Sequence, residues 1–162
     1  MKLGVAGLAL GLALLAAPTA VAQAPSGSFA AAYSVSAKGV TAGEFDFAVV
    51  FAPGGAYDAK SSRRLTGLAR ALAGSSQDYT YAAQGVVKAG AARPRAYTHT
   101  GGKRGRVVNV AFTADDVVTT SNPAMGMGNP PATREQRVGT LDQVSMLAEM
   151  VALPASANPC NR

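Results

Sequence analysis

The sequence predicts an α+β fold: a curved, half-barrel-like antiparallel β-sheet of about seven strands in hairpin order, packed on a C-terminal helix. Three observations predict it. Between Phe29 and Thr120 apolar and polar side chains alternate in short runs, as half-buried strands require. Turns rich in Gly, Pro and Asp separate those runs at hairpin spacing. From Leu141 the apolar period becomes helical and stays so until Pro154.

Residues 1–22 read as a signal peptide. Lys2 gives a positive start, Leu3 to Ala17 is an unbroken apolar run, and Ala20-Val21-Ala22 is a small-residue cleavage site before Gln23. The run is shorter than the ~20 residues of a membrane span. No span is expected after cleavage, and the mature chain is expected in the periplasm or outside the cell. Residues 23–28, with Pro25 and Gly27, read as a flexible leader. Residues 29–153 form one domain, and 154–162 a tail.

The densest apolar row lies in the hairpin from Phe29 to Phe51. Its first arm, Ala31 to Lys38, sets Ala31, Tyr33, Val35 and Ala37 on one face. Its second, Glu44 to Phe51, sets Phe45, Phe47, Val49 and Phe51 on one face. Gly39 to Gly43 is the predicted loop between them. Tyr57 to Thr66 follows as a third strand, with Tyr57, Ala59, Ser61 and Leu65 inward and Arg63 breaking the row. Leu65, Leu68 and Leu72 then adopt helical spacing, which allows a short helix over 67–73. Gln77 to Lys88 alternates again, with Tyr79, Tyr81, Ala83 and Val87 inward and Gly85 marking a bulge or bend. A turn over 89–94 leads to a strand from Arg95 to Thr100. Further strands are Arg106 to Thr113 and Val117 to Thr120. Residues 121–133, with Pro123, Pro130 and Pro131, read as a loop. Thr140-Leu141-Asp142-Gln143 matches a capping box, with Thr140 as the cap. A helix this apolar is expected to be covered on most of its surface by the aromatic side of the sheet.

Composition narrows the chemistry. The net charge of +6 favours anionic partners. The only cysteine, Cys160, cannot form an internal disulfide. Export disfavours nucleic acid as a partner, and the aromatics fall in inward rows rather than among the basic residues. No zinc spacing, phosphate-cradling loop or Gly-x-Ser-x-Gly elbow occurs, so no cofactor and no catalytic residue is assigned. Met125 and Met127 are soft ligands suited to Cu(I) but too few for a site alone. His99, the single histidine, reads as a surface or edge residue. Asp115-Asp116 reads as a structural turn, and Glu44 and Asp46 as solvated.

Several stretches carry a resemblance: Tyr33-Ser34-Val35-Ser36 followed by Gly43-Glu44, Thr66-Gly67-Leu68-Ala69-Arg70, Arg93-Pro94-Arg95-Ala96-Tyr97, and Gly139-Thr140-Leu141-Asp142. From about Tyr33 to Cys160 the chain resembles the domain-of-unknown-function 3108 family, exported proteins of Gram-negative bacteria. The resemblance implies the sheet-and-helix fold and supplies no catalytic residue. Family members continue past the position of Cys160 into further strands. The resemblance therefore implies a sheet left open here and a cysteine without its partner. More loosely, the shape is similar to the lipoprotein-carrier half-barrels of the periplasm, which bind acyl chains, though fold alone does not fix function.

The candidate site is basic. No acidic residue occurs between Asp78 and Asp115, and Arg93, Arg95, Lys103, Arg104 and Arg106 fall around two turns in that interval. Together they form either a solvated rim that protects a sheet edge or a contact surface for the anionic groups of lipid headgroups, lipopolysaccharide or cell-wall polymers. The expected function is a non-enzymatic envelope protein holding an apolar or anionic ligand between sheet and helix. The alternative is an interaction module that pairs with another protein through an open sheet edge.

Overall fold

The structure, a computed structural model, describes residues 24–73, 78–102, 104–126 and 128–154. Residues 1–22, expected to be a signal peptide, and Lys103, Met127 and Cys160 lie outside the described residues. Seven strands form one antiparallel sheet: β1 (Gly27–Ala37), β2 (Val40–Phe51), β3 (Ala56–Leu65), β4 (Tyr79–Lys88), β5 (Ala91–Gly101), β6 (Arg106–Phe112) and β7 (Val117–Asn122). Each pairs with the next in sequence, so the order is β1 to β7, the sheet is not closed, and β1 and β7 are its edges. Three helices accompany it: α1 (Gly67–Ala73), α2 (Arg134–Arg137) and α3 (Gln143–Ala152). The α+β class and the C-terminal helix are as the sequence predicts. β1 begins inside the stretch expected to be a leader.

The first hairpin is tighter than the predicted loop over 39–43. The chain turns on Lys38 and Gly39, both at positive φ (50° and 79°), and Val40 already pairs with Ala37. The surplus residue is absorbed as a bulge opposite Val35 and Ser36. Ala89 and Gly90 turn β4 into β5 in the same way, so β5 starts at Ala91 rather than Arg95. Such two-residue turns match the twist of the flanking strands.

Antiparallel partners share a face, so the register defines rows across the sheet. One row runs through Val49, Ala59, Ala83 and Tyr97, the next through Phe47, Ser61, Tyr81, His99 and Val108. A third runs through Tyr33, Phe45, Arg63, Tyr79, Gly101 and Arg106. α3 packs on this face across β3, β4 and β5. Its Val144 and Ala148 are fully buried against Phe47, Val49, Phe51, Tyr57, Ala59, Ala83, Val87 and Ala92. The inner face of α3 is therefore packed on core side chains. Most of α3 is buried or partly buried, and Met146 and Met150 are its exposed apolar residues. The sheet offers one face only, so a helix lying on it leaves its outer stripe in water.

Asp142, not Thr140, caps α3. Its carboxylate accepts from Val144 N (3.0 Å), Ser145 N (2.8 Å) and Ser145 Oγ (2.6 Å). The capping box belongs to α2, a turn of helix that the sequence pattern does not predict, where Thr133 and Gln136 satisfy each other's backbone N–H. Arg137 makes a paired contact with the Asp116 carboxylate (2.8 and 2.9 Å), tying α2 to the β6–β7 turn and giving the Asp115-Asp116 pair a structural role. On the opposite face of the sheet, Glu44 pairs with Arg64 and Asp46 accepts from Ser62 (3.0 Å). Both carboxylates are partly exposed and also take part in cross-strand pairs.

Candidate functional site

Three tyrosines and the histidine converge where α3 begins. Tyr79 and Tyr81, two apart on β4, project from one face with near-parallel rings, 6.2 Å between centroids and 13° between planes. His99, from β5, sets its ring 6.0–6.3 Å from those of Tyr79, Tyr81 and Tyr97. The guanidinium of Arg63 lies 4.8 Å from the Tyr79 ring centroid, a cation–π contact. The Asp142 cap and Gln143, at the start of α3, border the group, and Gln143 donates to the Tyr97 hydroxyl (3.2 Å). This half of the cleft is an open depression of about 500 Å³. Beyond Tyr79 and His99 it continues as about 320 Å³ bounded by Gly101, Gly102, Arg104 and Arg106.

Glycine makes room for the cleft. Gly101 lies directly opposite Tyr79, and a Cβ there would fall 2.4 Å from Asp78 O and 2.6 Å from Tyr79 Cδ1. Only glycine lets the Tyr79 ring lie across this end of β5.

The electrostatics are one-sided. Arg63, Arg104 and Arg106 border the cleft, and none of them takes part in the four ion pairs among the described residues. Arg106 Nε is buried without a hydrogen-bond partner. The one carboxylate present, Asp142, is engaged in capping α3. Burial first, and then the positive charge of Arg106, hold the His99 imidazole below its ordinary value. Burial, only partly offset by the hydrogen bond from Gln143, pushes the Tyr97 phenol up to about 12.

The five predicted basic residues are not brought together. Arg104 and Arg106 border the aromatic cleft, and Lys103 lies outside the described residues. Arg93 and Arg95 sit near the other end of β5, roughly 25 Å away by the rise of a strand. There they border an apolar cleft of about 490 Å³ with Val86, Phe112, Val117 and Leu141. A single basic rim is therefore replaced by two arginine pairs. His99 is not at an edge either, since β5 is an interior strand. Tyr79 and Tyr81 were legible only as members of an inward row, and Arg63 only as a break in one. The usable signal was that these rows turn from Phe and Val to Tyr, His and Arg toward one end. Basic and aromatic residues, expected to be separate, meet there.

No family profile, no curated protein and no solved structure matches this chain. Among the described residues no group of three His, Cys, Asp or Glu side chains is placed to hold a metal ion, and no helix is long and apolar enough to cross a membrane.

Proposed function

We propose that this chain is an exported, non-enzymatic binding module of the Gram-negative envelope, related to the domain-of-unknown-function 3108 proteins, that holds an anionic ligand in the aromatic cleft. The observation that carries this reading is Arg106, whose buried Nε lacks a partner beside a lowered-pKa histidine. A buried donor left unpaired is costly, and an anion supplies the missing acceptor. The lining also argues against an acyl chain here, because among the described residues no Leu, Ile, Val or Met borders either half of the cleft.

Sulfate is the simplest probe. Its binding next to Arg106 offsets the charge that depresses His99, so the His99 pKa rises on titration with sulfate. Sulfate affinity in turn increases as pH falls through the His99 value. Arg106→Gln is expected to weaken sulfate binding about tenfold or more, the scale of a hydrogen bond to a charged group. NMR of the single imidazole reads both effects. An unmoved His99 resonance at saturating sulfate would sink the anion reading.

β1 supports a second reading. Over eleven residues this edge strand carries no charge and no proline, and Phe29, Tyr33 and Val35 are exposed beside Phe45 and Phe47. Natural edges usually carry such blocking residues. β1 is therefore suited to take on a strand from another chain, most simply a second copy. Sedimentation should show association that grows with concentration and is lost in Val35→Lys. A monomer at every concentration counts against self-pairing.

A further inference from the structure

We propose that the ligand of the aromatic cleft is an acidic carbohydrate of at least two sugar rings, its rings packed against Tyr79 and Tyr81 and its acid group held by Arg106. This rests on the anion reading above and narrows it. Size is the first reason. Each half of the cleft falls in or near the roughly 300–1,000 Å³ of clefts that hold whole organic ligands, and the two halves meet at Tyr79 and His99. A tetrahedral inorganic anion would leave most of that space to water.

Chemistry is the second reason. A sugar ring presents a flat C–H surface that suits an aromatic ring and a rim of hydroxyls that seek hydrogen bonds. The cleft supplies both, with Tyr79 and Tyr81 offering rings and hydroxyls, Gln143 an amide and His99 an imidazole. Charge is the third. Three arginines face one carboxylate that is already engaged at the α3 cap, so a neutral glycan could offer Arg106 Nε a hydroxyl acceptor but no counter-charge for the guanidinium groups. Carboxylated sugars and phosphorylated or sulfated sugars share the chemistry that Arg106 recognises, because guanidinium pairs with either group. An aromatic platform with arginines also suits single-stranded nucleic acid, but the expected export of the chain favours glycan.

The test is calorimetric titration with an oligogalacturonide, a sulfated oligosaccharide of equal length, a neutral maltooligosaccharide, a short single-stranded oligonucleotide and inorganic sulfate. One or both acidic oligosaccharides should bind at least about tenfold tighter than sulfate, and the neutral glycan not measurably. The difference between the first two arms identifies the acid group. Tyr81→Ala should remove that tenfold advantage while leaving sulfate affinity within about twofold, whereas Arg106→Gln weakens both. Should the Tyr81 variant fail to fold, ring-proton shifts of Tyr79 and Tyr81 in the unmodified protein read the same contact: they move with an acidic oligosaccharide, and unmoved signals overturn the stacking. Sulfate binding with no gain for either acidic oligosaccharide overturns the carbohydrate assignment and leaves the anion reading standing. A tighter oligonucleotide also overturns the carbohydrate assignment. Binding by none of the probes overturns both readings.

Discussion

Gly85→Ala is expected to destabilise the protein by about 3 kcal/mol or more, the upper range for forced overpacking. A Cβ at this position would lie 2.4 Å from Arg93 O, 2.5 Å from the Tyr57 hydroxyl and 2.7 Å from Tyr57 Cζ. None of these neighbours is a flexible chain end. Arg93 O belongs to the backbone of the next strand, beside the bulge between β4 and β5. The Tyr57 ring is buried and held at its hydroxyl by Ser145 (2.7 Å). The sheet must therefore spread locally or the ring must leave its slot, and either movement lifts α3. Domains of this size are stable by only about 5–15 kcal/mol, so the loss is a large share of the total. Urea unfolding measures it. Gly126→Ala is the control, with nothing within 4 Å of its Cβ, and should stay within about 0.5 kcal/mol of the parent. A Gly85→Ala protein as stable as its control would mean that the ring does not occupy this slot.

Gly85 also shows what could and could not be read from the residues alone. Alternation of side chains reveals a strand and which face is buried, because a one-residue slip would expose the whole apolar row. The Phe45, Phe47, Val49 and Phe51 row and the inward placement of Tyr57, Ala59 and Ser61 were legible on that basis. A glycine in a strand signals a bulge or a close approach, but not which atom approaches. That depends on the register of β3 against β4. Turn and cap positions were blurred for a related reason. Lys38-Gly39 and Gly39 to Gly43 are both workable turns, and the choice was made by pairing across the hairpin. Thr140 and Asp142 are both good caps. Asp142 prevails because its carboxylate also satisfies Ser145, a residue whose burial only the packed structure reveals. The cleft was the least legible part, since Arg63, Tyr79, His99 and Arg106 come from four strands and meet only through three successive pairings.

Asp142→Ala is expected to cost about 1.5–5 kcal/mol, combining a lost helix cap of about 0.5–2 kcal/mol with a buried hydroxyl left without its acceptor at about 1–3 kcal/mol. Tyr57 donates to Ser145 Oγ, which donates to Asp142 Oδ2, so one carboxylate anchors a relay from β3 into α3. Asp142→Asn keeps an oxygen for the two helix N–H groups and should lose less than half as much. The relay has an alkaline signature as well. Burial, partly offset by the Ser145 hydrogen bond, pushes the Tyr57 phenol up to about 12. The folded state therefore keeps a proton that the unfolded chain releases near pH 10. The stability this contributes is complete below about pH 10 and disappears as pH rises from about 10 to about 12. Tyr97, also pushed up to about 12, adds a second contribution of the same sign. Unfolding free energy measured across that window should fall steeply in the parent protein and less steeply in Tyr57→Phe. Equal slopes in the two proteins would place the Tyr57 hydroxyl in water, and the relay beneath α3 would then contribute nothing to holding helix and sheet together.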